Sequence, residues 1–306
     1  MSHRLDQAFE RALAYLDQHL NEPFELQALA DIAQIPRCHF DPLFIALYHM
    51  SIDAYVELLK SLEAAHLLGF GQQVSLVTIA AKLGYCNEQH FIESFTRSIG
   101  QSPESFQQAP DWGNFFAKQQ PLKSFQADVS QQNKPSYSVE VVSFDEQTLA
   151  VMEHLGDPAL LPQTIGLFID WRRQHGLSPN SCRTFNLLYS TPELSVKTQY
   201  RIDIGVSLNT ETQAKLNPLA SELSQIKFKS IPQGRCAMIK YSGDDNNGIA
   251  AVITYLYRDW VNANDVTLRD FPVYLERFDI GENEFANHEP IQPVYPQHML
   301  IYLPIV

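Results

Sequence analysis

The four cysteines of this 306-residue sequence, Cys38, Cys86, Cys182 and Cys236, stand far apart and form no CxxC pair. That argues against a disulfide scaffold and against a zinc site, and no metal is expected. No apolar run reaches the roughly 18 residues that a membrane-spanning helix needs. The first stretch, MSHRLDQAFERALAYLDQHL, is polar and amphipathic and lacks a signal-peptide core. There is no Gly-rich phosphate loop and no Ser, His and Asp in triad order. The acids of YSGDDNNG (241–248) miss calcium-loop spacing and read as a turn ahead of a helix. Positive charge is also short: 22 Lys+Arg against 35 Asp+Glu leave a net charge of −13. A broad electrostatic footprint for nucleic acid is therefore not expected. What remains is a cytoplasmic globular chain without a cofactor, long enough for about two domains of ~150 residues.

Residues 108–135 are punctuated by Gln and Pro, show no apolar period and read as a linker. Helical patterns fill residues 1–107, and strand and helix patterns alternate over 136–306. The first part repeats. LADIAQIPRCHFDPLFIALYHMSIDAY (29–55) aligns with IAAKLGYCNEQHFIESFTRSIGQSPESF (79–106). Each copy has a small-residue helix, a short turn and a helix carrying His-Phe-x-x-x-Phe. His39, Phe40 and Phe44 match His90, Phe91 and Phe95, and the paired Phe residues share a helical face. Both histidines read as structural. Gly84 and Gln34 fill the turn position, where a positive φ is needed. Two helix-turn-helix units in tandem fit this pattern.

The second part repeats too. VVSFDEQTLAVMEHLG resembles FKSIPQGRCAMIKYSG, FIDWRRQHG resembles YRDWVNAND, TFNLLYS matches FPVYLER, and YRIDIGVSL matches QHMLIYLPI. Each half reads as strand, helix, strand, strand. Two such units make an α+β domain with pseudo-twofold symmetry and an antiparallel sheet. The register sets Tyr189 in the place of Glu276. By the two-residue period Glu276 shares a strand face with Tyr274 and Phe278.

Residues 5–107 resemble the AraC/XylS family of transcription regulators, most specifically over 78–106. The resemblance implies two recognition helices in successive major grooves. Arg37, Asn87, Gln89 and Arg97 are the residues expected to contact DNA. Several positions depart from the pattern. Asp41 and Pro42 stand in the first recognition helix, where Pro42 is expected to introduce a kink. Glu88 and Glu93 stand in the second. Residues 1–110 hold 6 Lys+Arg against 13 Asp+Glu, a net of −7 (6 − 13).

Residues 136–306 resemble the gyrase-inhibitor-like (GyrI-like) small-molecule-binding domain. The resemblance rests on LLYSTPEL, YRIDIGVSL, IPQGRCAMIKYSG, FPVYLERFD and LIYLPI in that order. It implies an aromatic pocket whose carboxylate reads a cationic, lipophilic ligand, and Glu276 occupies the matching position. A carboxylate among rings is costly to bury without a positive partner, and rings attract cations. Tyr189, facing Glu276 across the twofold axis, with Tyr274, Phe278, Trp171 and Trp260, completes the expected site. The bland reading pairs Glu276 with a nearby arginine such as Arg277 and puts the two tryptophans in the core. The whole chain thus reads as a ligand-responsive regulator that binds DNA and a small effector and is not an enzyme. One alternative is a ligand-sequestering protein with degenerate DNA binding. The other is a hydrolase using Glu276 and Tyr189 as acid and tyrosine.

Overall fold

Short polar side chains fix where the N-terminal helices begin. A computed structural model describes residues 4–70, 74–117, 137–190, 200–216, 225–243, 246–278 and 297–306. The expected linker over 118–135 and the acidic turn residues Asp244 and Asp245 lie outside the described residues. The helices are α1 (Arg4–Gln18), α2 (Leu26–Ala33), α3 (Arg37–Tyr48), α4 (Ile52–Phe70), α5 (Leu76–Lys82), α6 (Glu88–Ile99) and α7 (Pro103–Gln108). The Ser75 side chain accepts the Thr78 N–H at the start of α5, and Asn87 accepts the His90 N–H at the start of α6. Ser102 does the same for Ser105 ahead of α7, whose first turn carries Pro103. Each cap satisfies an N–H that the helix itself leaves unpaired.

The chain divides into two compact units, Met1–Arg37 with Leu47–Lys134, and Cys38–Ala46 with Pro135–Val306. In the first, Phe91, Phe95, Ile79, Leu83 and Phe106 pack with Ala64, Ala65 and Leu68 of α4. This core continues past residue 107, because Phe115 is buried in it and Trp112 packs against it. Both helix-turn-helix turns pass through the left-handed region, Gln34 at φ 58° and Gly84 at φ 70°. α3 runs unbroken across Pro42, whose ring removes a single backbone donor.

The second unit holds eight strands: β1 (Val139–Phe144), β2 (Gln147–Leu155), β3 (Thr184–Leu188), β4 (Arg201–Ser207), β5 (Ile226–Ile231), β6 (Gly234–Gly243), β7 (Val273–Arg277) and β8 (Gln297–Pro304). They form one antiparallel sheet in the order β1-β6-β8-β7-β3-β4-β2-β5. The order is symmetric about the β7–β3 pair, so the two sequence repeats are the two halves of the sheet. One detail differs from the expected strand, helix, strand, strand. The first strand of each half is two strands, broken at Asp145–Glu146 in one copy and at Pro232–Gln233 in the other. β1 then pairs with β6 of the opposite half, and β5 pairs with β2.

Among the described residues this unit also holds the helices α8 (Leu161–Gln174), α9 (Thr210–Leu216) and α10 (Asn246–Tyr255), the last running through a π-helical turn, Leu256–Trp260, into a short helix α11 (Val261–Asn264). Phe168 and Trp171 of α8 and Leu216 of α9 pack with Ala150, Met152, Ile204 and Val206 on one sheet face. The alternating residues Leu149, Val151, Phe185, Leu187, Tyr274 and Tyr302 form the opposite, aromatic face. Among the described residues no helix is long and apolar enough to cross a membrane.

The two turn residues yield a paired prediction. Gly84→Ala forces a Cβ into the Asn21 carbonyl at a positive φ, at an expected cost of about 1–3 kcal/mol in urea unfolding. Gln34→Gly relieves a left-handed side-chain-bearing residue and is expected to be neutral or stabilising by up to ~1 kcal/mol. Two shifts of the same sign and size would remove this account of the turns.

Candidate functional site

β7 is central in the sheet and reads Val-Tyr-Leu-Glu-Arg, so alternation sends Tyr274 and Glu276 to the aromatic face. Glu276 is only 4% exposed. Its charge is answered from within the chain. Arg183 donates from Nε to Oε1 at 2.5 Å and from Nη2 to Oε2 at 2.7 Å. The Tyr302 hydroxyl donates to Oε2 at 3.1 Å. Arg183 immediately precedes β3, and its backbone is pinned by the Ser207 side chain, which accepts the Arg183 N–H at 2.8 Å. The guanidinium lies over the rings of Phe144 at 5.5 Å and Phe185 at 5.0 Å. Tyr274 and Tyr302 stack at 4.8 Å beside Phe144. The hydrogen bonds to Glu276 hold the Arg183 guanidinium above its usual pKa. Burial, then the Glu276 charge, push the Tyr302 hydroxyl upward, so it remains a donor.

The pairing corrects the expected partner. Arg277 follows Glu276 directly and so projects to the opposite face, where its Nε donates to Asn186 Oδ1 at 2.7 Å. Tyr189 does not face Glu276 either. The residue opposite Glu276 is Phe185; Tyr189 lies four residues further, about 13 Å at the strand rise. Its ring instead carries the Arg201 guanidinium at 4.0 Å. An acid–tyrosine pair of Glu276 and Tyr189 is therefore not assembled; Tyr302 supplies the hydroxyl at the carboxylate. Tyr274 is fully buried, with its hydroxyl 3.3 Å from Cys236 Sγ. Phe278 is 44% exposed just past the end of β7. Trp171 is in the helix-side core, stacked 5.8 Å from Phe168, and Trp260 is half-buried in the π-helical turn. Neither tryptophan is among the residues of the aromatic cluster, and Trp171 packs on the opposite sheet face.

A second charged cluster lies on the aromatic face, and sequence reasoning missed it. Asp203 of β4 is fully buried. Lys229 donates to Asp203 Oδ2 at 2.5 Å and to Glu153 Oε1 at 2.6 Å. Arg201 lies 3.5 Å from Glu153. Burial alone would raise the Glu153 pKa, but the Lys227 and Lys229 ammonium groups outweigh it and hold the carboxyl down to about 2. The signal was present in YRIDIGVSL, where an acid interrupts an apolar strand as Glu276 does. Arg183 and Tyr302 were missed because only the β3–β7–β8 register brings them to Glu276.

In the first unit, α6 presents Glu88, Gln89, His90, Glu93, Thr96 and Arg97 to solvent. Of the residues expected at DNA, Gln89 and Arg97 lie there, with Gln89 donating to Glu93 at 2.8 Å. Asn87 is the helix cap, its Oδ1 committed to the His90 N–H, and Arg37 is exposed at the start of α3. Burial is uneven between the repeat histidines: His90 is exposed, His39 fully buried.

The family model for the GyrI-like small molecule binding domain matches residues 137–290, and a helix-turn-helix domain model matches residues 29–109. The probable transcriptional regulator YgiV of Escherichia coli K12 is 24% identical over 145 residues, 47% of this chain and 86% of YgiV. The HTH-type transcriptional regulator AlkR of Acinetobacter baylyi is 32% identical over 97 residues, 32% of this chain and 31% of AlkR. The crystal structure of the EcmrR C-terminal domain aligns with a TM-score of 0.40 at 15% identity, covering 56% of this chain and 99% of that one. The AdpA DNA-binding domain, solved with a target DNA, aligns with a TM-score of 0.31 at 26% identity, covering 35% of this chain and 93% of that one.

Two consequences of the charge pairs are measurable. Arg183→Ala leaves a buried carboxylate with Tyr302 as its remaining donor. It is expected to cost about 1–3 kcal/mol in urea unfolding of the second unit, less than for a fully buried pair because solvent reaches Arg183. Glu153 has its folded-state pKa depressed to about 2. Its contribution is therefore present above the unfolded value of about 4.3 and lost as pH falls towards 2. The stability gap between wild type and Glu153→Gln should be flat near neutral pH and close over that acid window. A gap that widens on acidification would contradict the assignment.

Proposed function

The chain belongs to the GyrI-like small-molecule-binding family and carries a helix-turn-helix domain ahead of that module, and we propose that it is a cytoplasmic, non-enzymatic transcription regulator whose effector is a small cation. The observation that carries the effector class is the Arg183 guanidinium seated on Glu276 against Phe144 and Phe185. A place that holds one planar cation through a carboxylate and ring faces has the chemistry to take another. Arg183 has 46% of its side chain exposed, so its displacement does not require the sheet to open. A lipophilic cation would replace it on Glu276, with Tyr302 still donating to the carboxylate. Phe278, exposed at the end of β7, would extend the apolar contact; Tyr274 shapes the floor. Tyr189 would serve a neighbouring position with Arg201 rather than the carboxylate itself. Trp171 and Trp260 act through packing.

DNA contact is assigned to α6 through Gln89 and Arg97, with Arg37 at the start of α3 and Asn87 setting the start of α6. Effector binding alters DNA affinity only to the degree that it favours one state of the chain over another. The acidic exposed face of α6, with Glu88 and Glu93, favours one second reading: a ligand-sequestering protein whose DNA-binding part has lost its target.

Two measurements test the site and separate the readings, the first for Glu276 and the second for DNA binding. In thermal-shift titration, tetraphenylphosphonium and comparable lipophilic cations are expected to stabilise the wild type, and Glu276→Gln to lose most of that shift. An equal shift in the variant would refute the role of Glu276. In a low-salt mobility-shift assay, the chain is expected to retard DNA from its own upstream region above non-specific background. Absence of retardation would leave only the sequestering reading.

A further inference from the structure

Aligned through His39 and His90, the outward positions of the two predicted recognition helices have diverged in kind. On α6 they are Gln89, His90, Glu93, Thr96 and Arg97, all polar and all exposed. On α3 the same positions are Cys38, His39, Pro42, Ile45 and Ala46, and none of these is exposed. His39, Ile45 and Ala46 are buried. Residues 38–46 belong to the same compact unit as the sheet.

The packing there is specific. His39 Nε2 lies 2.8 Å from the Arg269 carbonyl oxygen, which can only accept, so Nε2 carries the proton. Nδ1 is then the acceptor for the Tyr257 hydroxyl at 2.7 Å. Burial lowers the His39 pKa to about 4, consistent with this neutral tautomer. Tyr257 is itself buried in the π-helical turn. The neighbouring Cys38 thiol lies 3.5 Å from Asp270 Oδ1. Both sides of the contact are therefore satisfied, and a face used in this way is not available to base edges.

We propose that the outward residues of α3 over 38–46 serve as packing residues of the sheet-bearing unit to which they belong, and that, of the two predicted recognition helices, α6 alone reads bases. The second half of this statement rests on the DNA-binding reading above; the first does not. The family pattern implies two helices reading successive major grooves. The geometry here supports one groove per chain.

Arginine insertion at matched positions tests it. Ile45→Arg and Ala46→Arg put a charge where the structure has buried apolar contacts, and each is expected to lower the thermal midpoint by about 5 °C or more. Thr96→Arg, the α6 counterpart of Ile45→Arg, is expected to leave the midpoint unchanged because that face is solvated. Midpoints unchanged in both α3 variants would overturn the packing role. Where the chain binds DNA, dimethyl sulfate protection should mark one major-groove segment per bound chain. Two protected segments about 10 base pairs apart would overturn the single-helix assignment. A chain that binds no DNA sinks the regulator reading and the assignment of α6 together, while the melting contrast still decides the role of α3.

Discussion

The contact between Arg183 and Glu276 is what makes the aromatic face of the sheet physically tenable. A carboxylate at the centre of a buried strand, ringed by Phe144, Phe185, Tyr274 and Tyr302, carries a desolvation cost that packing alone does not offset. The bidentate guanidinium, with the Tyr302 hydroxyl, answers three of the acceptor directions of that carboxylate. The other half of the sheet meets the same problem in the same way, with Lys229 between Asp203 and Glu153. The difference lies in depth. Lys229 is held by two acids, whereas Arg183 has a single acid and nearly half its side chain in solvent. Of Arg183 and Lys229, Arg183 is the one a ligand has the easier task of replacing.

Much of the architecture was legible because the sequence is periodic at two scales. The His-Phe-x-x-x-Phe pairs located both helix-turn-helix units, and the paired Phe residues are fully buried. The strand repeats located both halves of the sheet. The break at Asp145–Glu146 was not seen, since VVSFDEQTLAVMEHLG keeps a high β content on both sides of it. The site was legible only in part. Local alternation put Glu276 on the right face, but no local rule reaches Arg183, 93 residues earlier in the chain. That contact depends on strand order and register, which are non-local. Tyr189 fails through register. The ladders make Leu187 the twofold counterpart of Glu276 and Phe278 that of Tyr189, two residues from the sequence alignment. The matching bonds from Tyr189 N–H to the Arg201 carbonyl and from Phe278 N–H to the His298 carbonyl mark the shift. Trp171 was a helix residue from the start, and its place in the core follows once helix residues pack on the other face of the sheet.

The two repeats of the helical part show how identical local signals diverge in use. Gln34 and Gly84 adopt the same left-handed turn, and the helices that follow place their Phe pairs alike. Their outward residues share no such constraint. One set is polar and exposed; the other joins the unit that holds the sheet. Asp41 and Pro42 looked like defects in a DNA-reading helix. Pro42 is half-buried on the same helix face as Cys38 and His39, whose side chains meet Asp270, Tyr257 and the Arg269 carbonyl.

The placement of β1 and β5 has a consequence for how such a domain is built. Each repeat gives its first strand to the edge of the other, β1 beside β6 and β5 beside β2. The tandem is thus a strand-exchanged dimer written as one polypeptide. A protein made from one repeat alone would have an unpaired edge seeking this strand, and a second copy is the molecule that offers it. Carrying both copies in one chain fixes the exchange and lets the two copies differ. Glu276 in one half and Leu187 at the matching ladder position of the other show that difference: a symmetric scaffold with an asymmetric charge.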